Sequence, residues 1–304
     1  MKRVFSVLAP LGLSAIAQAQ TGLPVAGFGY QLPGKTITAA PGQIMSVSVF
    51  GISARIPEPL FPVATNGFPT EVNGISVDFV QGLLTVQLPV RGVQQSTCPP
   101  SGTCSPATTL TIQIPFEFNP DSHVEALLRV KEAGKPVAEA VLNGVTDAVH
   151  VINTCDQLGV FLSIATDVPP QVCAPIVMHA RGPLVSNSAP ATPGETIVLW
   201  AYGLGALERP IPDTCCSTPE QLPEVSQPFT VTFSYVDVGR FPWRRLGAAT
   251  PSYVGMVGGG LYQVQFAVPA VPSNISPCFG RTGNLKIMVT GPNSADGAEV
   301  CVQP

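Results

Sequence analysis

This sequence carries little charge. Only 11% of its 304 residues are Asp, Glu, Lys or Arg, against roughly 25% in an average soluble domain. The net charge is −4, so there is no electrostatic case for binding nucleic acid or an anionic membrane. Histidine is scarce too: His123, His150 and His179 are the full set. None stands in a His-Glu-x-x-His or comparable ligand pattern. No Gly-x-Ser-x-Gly elbow occurs, which removes the local mark of one large hydrolase class. Cys-x-x-Cys pairs are missing, so the cysteines give no zinc pattern. Gly258-Gly259-Gly260 lacks the Lys-Ser/Thr ending of a phosphate loop, and no helical pattern follows it. It reads as a flexible turn before a strand. Beyond the first twenty residues there is no apolar run of about 20 residues, so no later segment is expected to span a membrane.

What is abundant is apolar and turn-forming. Hydrophobic residues make up 45%, and there are 29 Gly and 33 Pro. With plentiful β-branched residues, this mixture suits many short strands joined by tight turns rather than disorder. The length fits about two domains. At the N-terminus, Lys2 and Arg3 precede an apolar run from Val4 to Ile16, broken by Pro10, and Ala17-Gln18-Ala19 follows. That is the layout of a secretory leader, with cleavage expected after Ala19 and a mature chain beginning at Gln20. The alternative is an uncleaved anchor, for which the run is short. No Cys follows the cleavage site, as lipidation would require.

The eight cysteines agree with export. They are Cys98, Cys104, Cys155, Cys173, Cys215, Cys216, Cys278 and Cys301. An even count in a secreted chain implies disulfides, with 105 connectivities open in principle. Proximity suggests Cys98–Cys104 and Cys155–Cys173. Adjacent cysteines rarely bond each other, because the small ring is strained. Cys215 and Cys216 are therefore expected to take Cys278 and Cys301 as separate partners.

The chain is organised around Pro193-Gly-Glu-Thr-Ile-Val-Leu-Trp-Ala-Tyr-Gly-Leu-Gly205. A Pro-Gly turn opens a β-rich run, and Gly203 and Gly205 close it. Pro41-Gly-Gln-Ile-Met-Ser-Val-Ser-Val-Phe-Gly51 has the same plan and the same Pro-to-Gly spacing. A second anchor repeats as well. Leu110-Thr-Ile-Gln-Ile-Pro115 mirrors Tyr262-Gln-Val-Gln-Phe-Ala-Val-Pro269 at nearly the same distance from its Pro-Gly turn. Two anchors at matching separation indicate tandem copies of one fold.

Strands are predicted at 45–50, 74–79, 83–88, 109–116 and 124–130 in copy one. Asn73-Gly74, Gln81-Gly82 and Asn119-Pro120-Asp121 mark turns between them. Cys98 to Cys104 reads as a hairpin tip. In copy two, strands are predicted at 196–202, 229–236, 252–256, 262–268 and 285–289. Between the copies, Val137–Ile152 fits a helix by its Ala and Glu and a strand by its Val and Thr, and periodicity does not decide. Gly159–Ile164 reads as strand. The expected organisation is a leader over 1–19, domain one over 20–135, a linking segment over 136–175 and domain two over 176–304.

A Pro-Gly turn, an apolar strand and a closing Gly resemble the start of an immunoglobulin-like IPT/TIG domain. Asn187 to Gly205 and Tyr253 to Pro269 are similar to the two signatures of an uncharacterised module that ends secreted acidobacterial proteins. The resemblance covers roughly Lys35 to Val302, more loosely in the first half, where the cysteine hairpin looks inserted. It implies an all-β protein of two tandem immunoglobulin-like β-sandwich domains, with no known activity and no catalytic residues to carry over.

Two groups of residues are candidates for ligand contact. The first follows from strand alternation. Aligning the turns pairs Met45, Val47 and Val49 with Ile197, Leu199 and Ala201 as core faces. The opposite face carries Ser46, Ser48 and Phe50 in copy one but Val198, Trp200 and Tyr202 in copy two. An outward apolar face marks an interdomain contact or a ligand surface. The interdomain contact is favoured, because a tandem partner is already present. The second group is Phe241-Pro-Trp-Arg-Arg245, where Trp243, Arg244 and Arg245 could stack on a sugar or a partner. The plainer reading is a strand edge with Trp243 buried and the arginines solvated.

The sequence is therefore read as a secreted, non-catalytic binding or structural protein with no metal or cofactor. Its partner would be an extracellular protein or polysaccharide. The rival is a secreted glycoside hydrolase with a distributed site drawn from Glu117, Asp121, Glu125, Asp147 or Glu195. Of these, Glu195 is more simply a turn residue.

Overall fold

The computed structural model describes residues 36–62, 67–96, 106–154, 156, 173–209, 223–238, 240–278 and 283–304. Every element among them is a β-strand. The first sandwich contains β1 (Thr36–Ala39), β2 (Ile44–Phe50), β3 (Glu71–Val72), β4 (Ile75–Gln81), β5 (Leu84–Gln87), β6 (Val90–Gln95), β7 (Ala107–Gln113), β8 (Ala126–Glu132) and β9 (Lys135–Gly144). One sheet has the order β2-β7-β6. The other runs β1-β9-β8-β4-β3, with β5 also on β4. Their inner faces meet around Met45, Val47, Phe79, Leu110 and Leu128.

Turn chemistry explains the hairpins. Asn73 and Gly74 both have positive φ, as a two-residue type I′ connection between β3 and β4 requires. The predicted turn at Gln81-Gly82 joins β4 to β5, with Gly82 at positive φ.

The ambiguous stretch Val137–Ile152 is strand up to Gly144 and again at His150–Val151, and no part of it is helix. Along β9, Ala138, Ala140 and Leu142 are buried while Glu139 is exposed, which is a period of two and not of 3.6. β9 pairs with β8 and runs parallel to β1. The first sandwich thus extends to Gly144, past the boundary expected at residue 135. Two short strands follow, β10 (His150–Val151) and β11 (Val177–His179). The strand expected at Gly159–Ile164 lies outside the described residues, as do Cys98, Cys104, Cys155, Cys215 and Cys216.

The second sandwich comprises β12 (Thr196–Tyr202), β13 (Thr230–Asp237), β14 (Arg240–Ala249), β15 (Tyr253–Gly258), β16 (Leu261–Ala267), β17 (Leu285–Thr290) and β18 (Ala295–Val300). One sheet has the order β10-β12-β16-β15, with β11 also on β12. The other is β14-β13-β17-β18. Ile197, Leu199, Phe233, Phe266 and Ile287 lie in the core between them.

The repeat is geometric as well as sequential. At each Pro-Gly turn the fourth residue bonds back to the first, Gln43 N to Ala40 O at 3.2 Å and Glu195 N to Thr192 O at 3.0 Å. Gly42 and Gly194 both have positive φ, as a type II turn demands. The same two side chains close the turns: Gln43 Oε1 accepts from Ala40 N and Glu195 Oε2 from Thr192 N. Ile44 then lies opposite Gln113, and Thr196 opposite Ala267. Each is the third residue after its Pro, facing the second residue before the other Pro. Even the parallel contact recurs, Ala39 beside Gly144 and Ala191 beside Val302. This pairing is that of two tandem immunoglobulin-like sandwiches.

One disulfide expectation is corrected. Cys278 and Cys301 bond each other, with Cα atoms 5.7 Å apart, so neither is left for Cys215 or Cys216. Asn284 explains why. Its Nδ2 donates to Ser276 O and Val302 O, and its Oδ1 accepts from Val302 N. That draws the chain before β17 alongside the end of β18. Cys173 is also disulfide-bonded.

Candidate functional site

The outer face of β12 is not an open ligand surface. Val198, Trp200 and Tyr202 point away from the core as alternation requires, but the inter-repeat segment lies over them. β11 pairs along β12 from Leu199 to Ile197, and β10 pairs at Ala201 and Tyr202. Ile152, Ile176 and Tyr202 form a buried cluster with Ile44 of the first sandwich, and Trp200, Leu184 and Leu261 pack against it. Trp200 Nε1 lies 3.4 Å from Met178 Sδ. Tyr202 is 3% exposed. The placement of Trp200 and Tyr202 at a ligand surface is therefore corrected in favour of the interdomain contact: Ile152 and Ile176, together with Ile44 of the first sandwich, pack over the apolar row. In copy one the same face is polar. Ser46 and Ser48 hydroxyls pair with those of Thr111 and Thr109 at 3.3 and 2.8 Å, and Phe50 is 39% exposed.

Sequence reading missed the residue at the centre of the domain junction, Arg91. A bulge interrupts β6 between Val90 and Gly92, which re-aims the residue between them. Arg91 is 5% exposed. Its guanidinium sits 4.0 Å from the centroid of the Phe68 ring. Nη2 donates to Gln113 Oε1 at 2.6 Å and to Gly259 O of the second sandwich. Burial lowers its pKa to about 10, partly opposed by the Tyr202 phenol, and burial raises that phenol's own pKa. The Gly258-Gly259-Gly260 turn joins β15 to β16 and is the receptor for this contact. A Cβ on Gly259 would come within 2.4 Å of Arg91 Nη2, and one on Gly260 within 2.8 Å of Gly42 O. Only glycine permits that approach. The sequence hint was a lone arginine inside an apolar run.

Two histidines are tied into structural ion pairs. His150 Nε2 lies 2.9 Å from Asp156 Oδ2, and Nδ1 3.3 Å from Asp296 Oδ2. Asp296 also accepts from Val151 N, so the cluster fastens β10 to β18. Burial alone would depress the imidazole, but its hydrogen bonds and attraction to Asp156 and Asp296 prevail and raise it to about 9. The folded-state pKa thus exceeds the ordinary value near 6.5. This stabilisation is complete below about pH 6.5 and is lost as pH rises through about 9. Thermal melts between pH 6.5 and 9.5 should show a decline of about 2–3 kcal/mol, absent in His150→Gln. An unchanged slope in that variant would refute the assignment.

His179 Nδ1 pairs with Glu195 Oε1, and Nε2 lies 3.1 Å from Ala189 O. Burial raises the Glu195 carboxyl, but bonds from His179 and Thr192 outweigh it and hold the pKa below the usual range. Glu195 is the turn residue expected, with an added partner. His123, Glu117, Asp121 and Glu125 are exposed. Asp147 is fully buried and accepts from Asn293 N and Ser294 N, each at 2.9 Å.

The Phe241–Arg245 stretch lies on β14, an edge strand. Its Pro suits that position, since an edge can lack an N–H. Arg244 Nε is 3.0 Å from the buried Asp237 Oδ2. Arg245 is exposed opposite Ser234, and Trp243 is half-buried. Arg244 is thus committed internally, leaving Trp243 and Arg245 for an outside contact.

Among the described residues no group of three His, Cys, Asp or Glu is placed to hold a metal ion. No helix among them is long and apolar enough to cross a membrane. The Cys278–Cys301 disulfide is compatible with an extracellular location. No family model matches the chain, and no curated protein matches it. Among solved structures, one described as "Anomalous substructure of Titin-A168169" aligns over 88% of this chain and 95% of its own, at 11% identity and a TM-score of 0.19.

Proposed function

We propose that this chain is an exported, non-catalytic binding or structural protein built from two IPT/TIG-like domains. It would leave the cell after cleavage at Ala19. It would then contact an extracellular polysaccharide or protein through exposed sheet edges and faces. The observation that carries this reading is how the reactive side chains are used. His150, His179, Asp147, Glu195 and Asp237 each hold one segment of chain to another. Groups fixed in structural pairs are poor candidates for general acid–base work, which needs a proton-transfer partner in the substrate. The β14 edge is the favoured contact, because its exposed arginine and half-buried tryptophan suit stacking and hydrogen bonding to sugars or a protein loop.

A glycan array and polysaccharide pull-downs with the mature protein test this. Binding to at least one extracellular polymer is expected, weakened roughly tenfold by Trp243→Ala, the loss expected for a modest hot spot. A parallel set of chromogenic glycosides should show no turnover. Hydrolysis abolished by Glu195→Gln would favour the enzyme reading instead.

A further inference from the structure

Arg91 is a buried cation with no carboxylate against it among the described residues. Among the described residues it enters no ion pair. Arginine keeps its charge in protein interiors, and a buried charge without a counter-charge is strongly unfavourable. Gln113 Oε1, Gly259 O and the Phe68 ring offset part of that cost with neutral groups. The Tyr202 phenol is held in its neutral form by burial and supplies no negative charge.

Two donors at this point remain unsatisfied. Arg91 Nε and Gln113 Nε2 are both buried without a hydrogen-bond partner. They belong to the two ends of one hydrogen bond, so they share one small region. The amide cannot be turned to relieve this, since its Oε1 already accepts from Arg91 Nη2 at 2.6 Å. Flipping would set NH₂ against a guanidinium. Unsatisfied buried donors call for a missing partner. Here that partner must accept hydrogen bonds, and negative charge would also neutralise Arg91. The Phe68 ring and the glycine turn crowd the guanidinium, and neither donor has open space beside it, so the partner has to be small and the side chains part slightly to admit it.

We propose that the domain junction binds a small monovalent anion of chloride's size between Arg91 and Gln113. The ion is then part of the interdomain contact, and its binding stabilises the paired arrangement by linkage. This does not depend on the proposed ligand of the β14 edge.

Thermal unfolding of the full mature chain provides the test. Sodium chloride is compared at constant ionic strength with the sodium salt of a bulky organic sulfonate. Chloride is expected to raise the midpoint by roughly 3–6 °C. Arg91→Met and Gln113→Leu should lose that response. If Arg91→Met does not fold, Gln113→Leu carries the comparison. A crystal soaked in bromide should show an anomalous peak within hydrogen-bond distance of Arg91 Nε. Equal midpoints in the two salts would overturn the proposal, as would water in place of bromide.

Discussion

Gly203→Ala is expected to cost about 4 kcal/mol, near the top of the range for single substitutions, whereas Gly51→Ala should cost about 1–2 kcal/mol. The two glycines occupy equivalent positions in the repeat, and both have positive φ. The left-handed backbone alone accounts for the smaller figure. Around Gly51 an added Cβ meets nothing within 4 Å. Around Gly203 it would stand 2.1 Å from Ala148 O. That carbonyl cannot retreat easily, because Ala148 N donates to Gly203 O at 2.8 Å. Urea unfolding followed by circular dichroism measures both variants. Equal losses would mean that residues 146–148 do not pack on the end of β12.

Asp147→Asn is expected to destabilise the second sandwich by about 3 kcal/mol, as for loss of hydrogen bonds to a buried charged acceptor. The carboxylate accepts from Asn293 N, Ser294 N, Ser294 Oγ and Thr146 Oγ1. An amide would turn an NH₂ toward at least one of those donors. The partners are themselves engaged. Asn293 Oδ1 accepts from Thr146 N at 2.9 Å and Ser294 Oγ from Val149 N at 2.7 Å. Losing the acid therefore frees the segment entering β10 from the β17–β18 turn. Chemical denaturation gives the loss, and a variant as stable as the parent would show that the cluster carries no net stability.

The legible parts of the fold were those with local causes. Pro41-Gly42 and Pro193-Gly194 dictate type II turns, and the apolar alternation after them dictates strands with a fixed core face. β12 runs from Thr196 to Tyr202 as the sequence predicted. β18 was missed because Ala295-Asp-Gly-Ala-Glu-Val300 carries little β propensity. It is a strand because β17 offers it an edge and Asn284 and Cys278 fasten its end. β14 was read only in part, since Pro242 and two adjacent arginines hide its period.

The candidate site divided along the same line. Alternation put Trp200 and Tyr202 on the face opposite Leu199, and that is a property of the chain alone. Whether that face met solvent, a ligand or protein depended on where Ile44, Ile152 and Ile176 came to lie, a contact between segments far apart in sequence. The two-copy plan, the core rows and the turn glycines were thus determined by the sequence itself, because each is set by neighbours a few residues away. The Cys278–Cys301 bond, the ion pairs of His150 and the burial of Arg91 against Gly259 were decided only in the tertiary structure, because each joins groups that nothing in the local chain brings together.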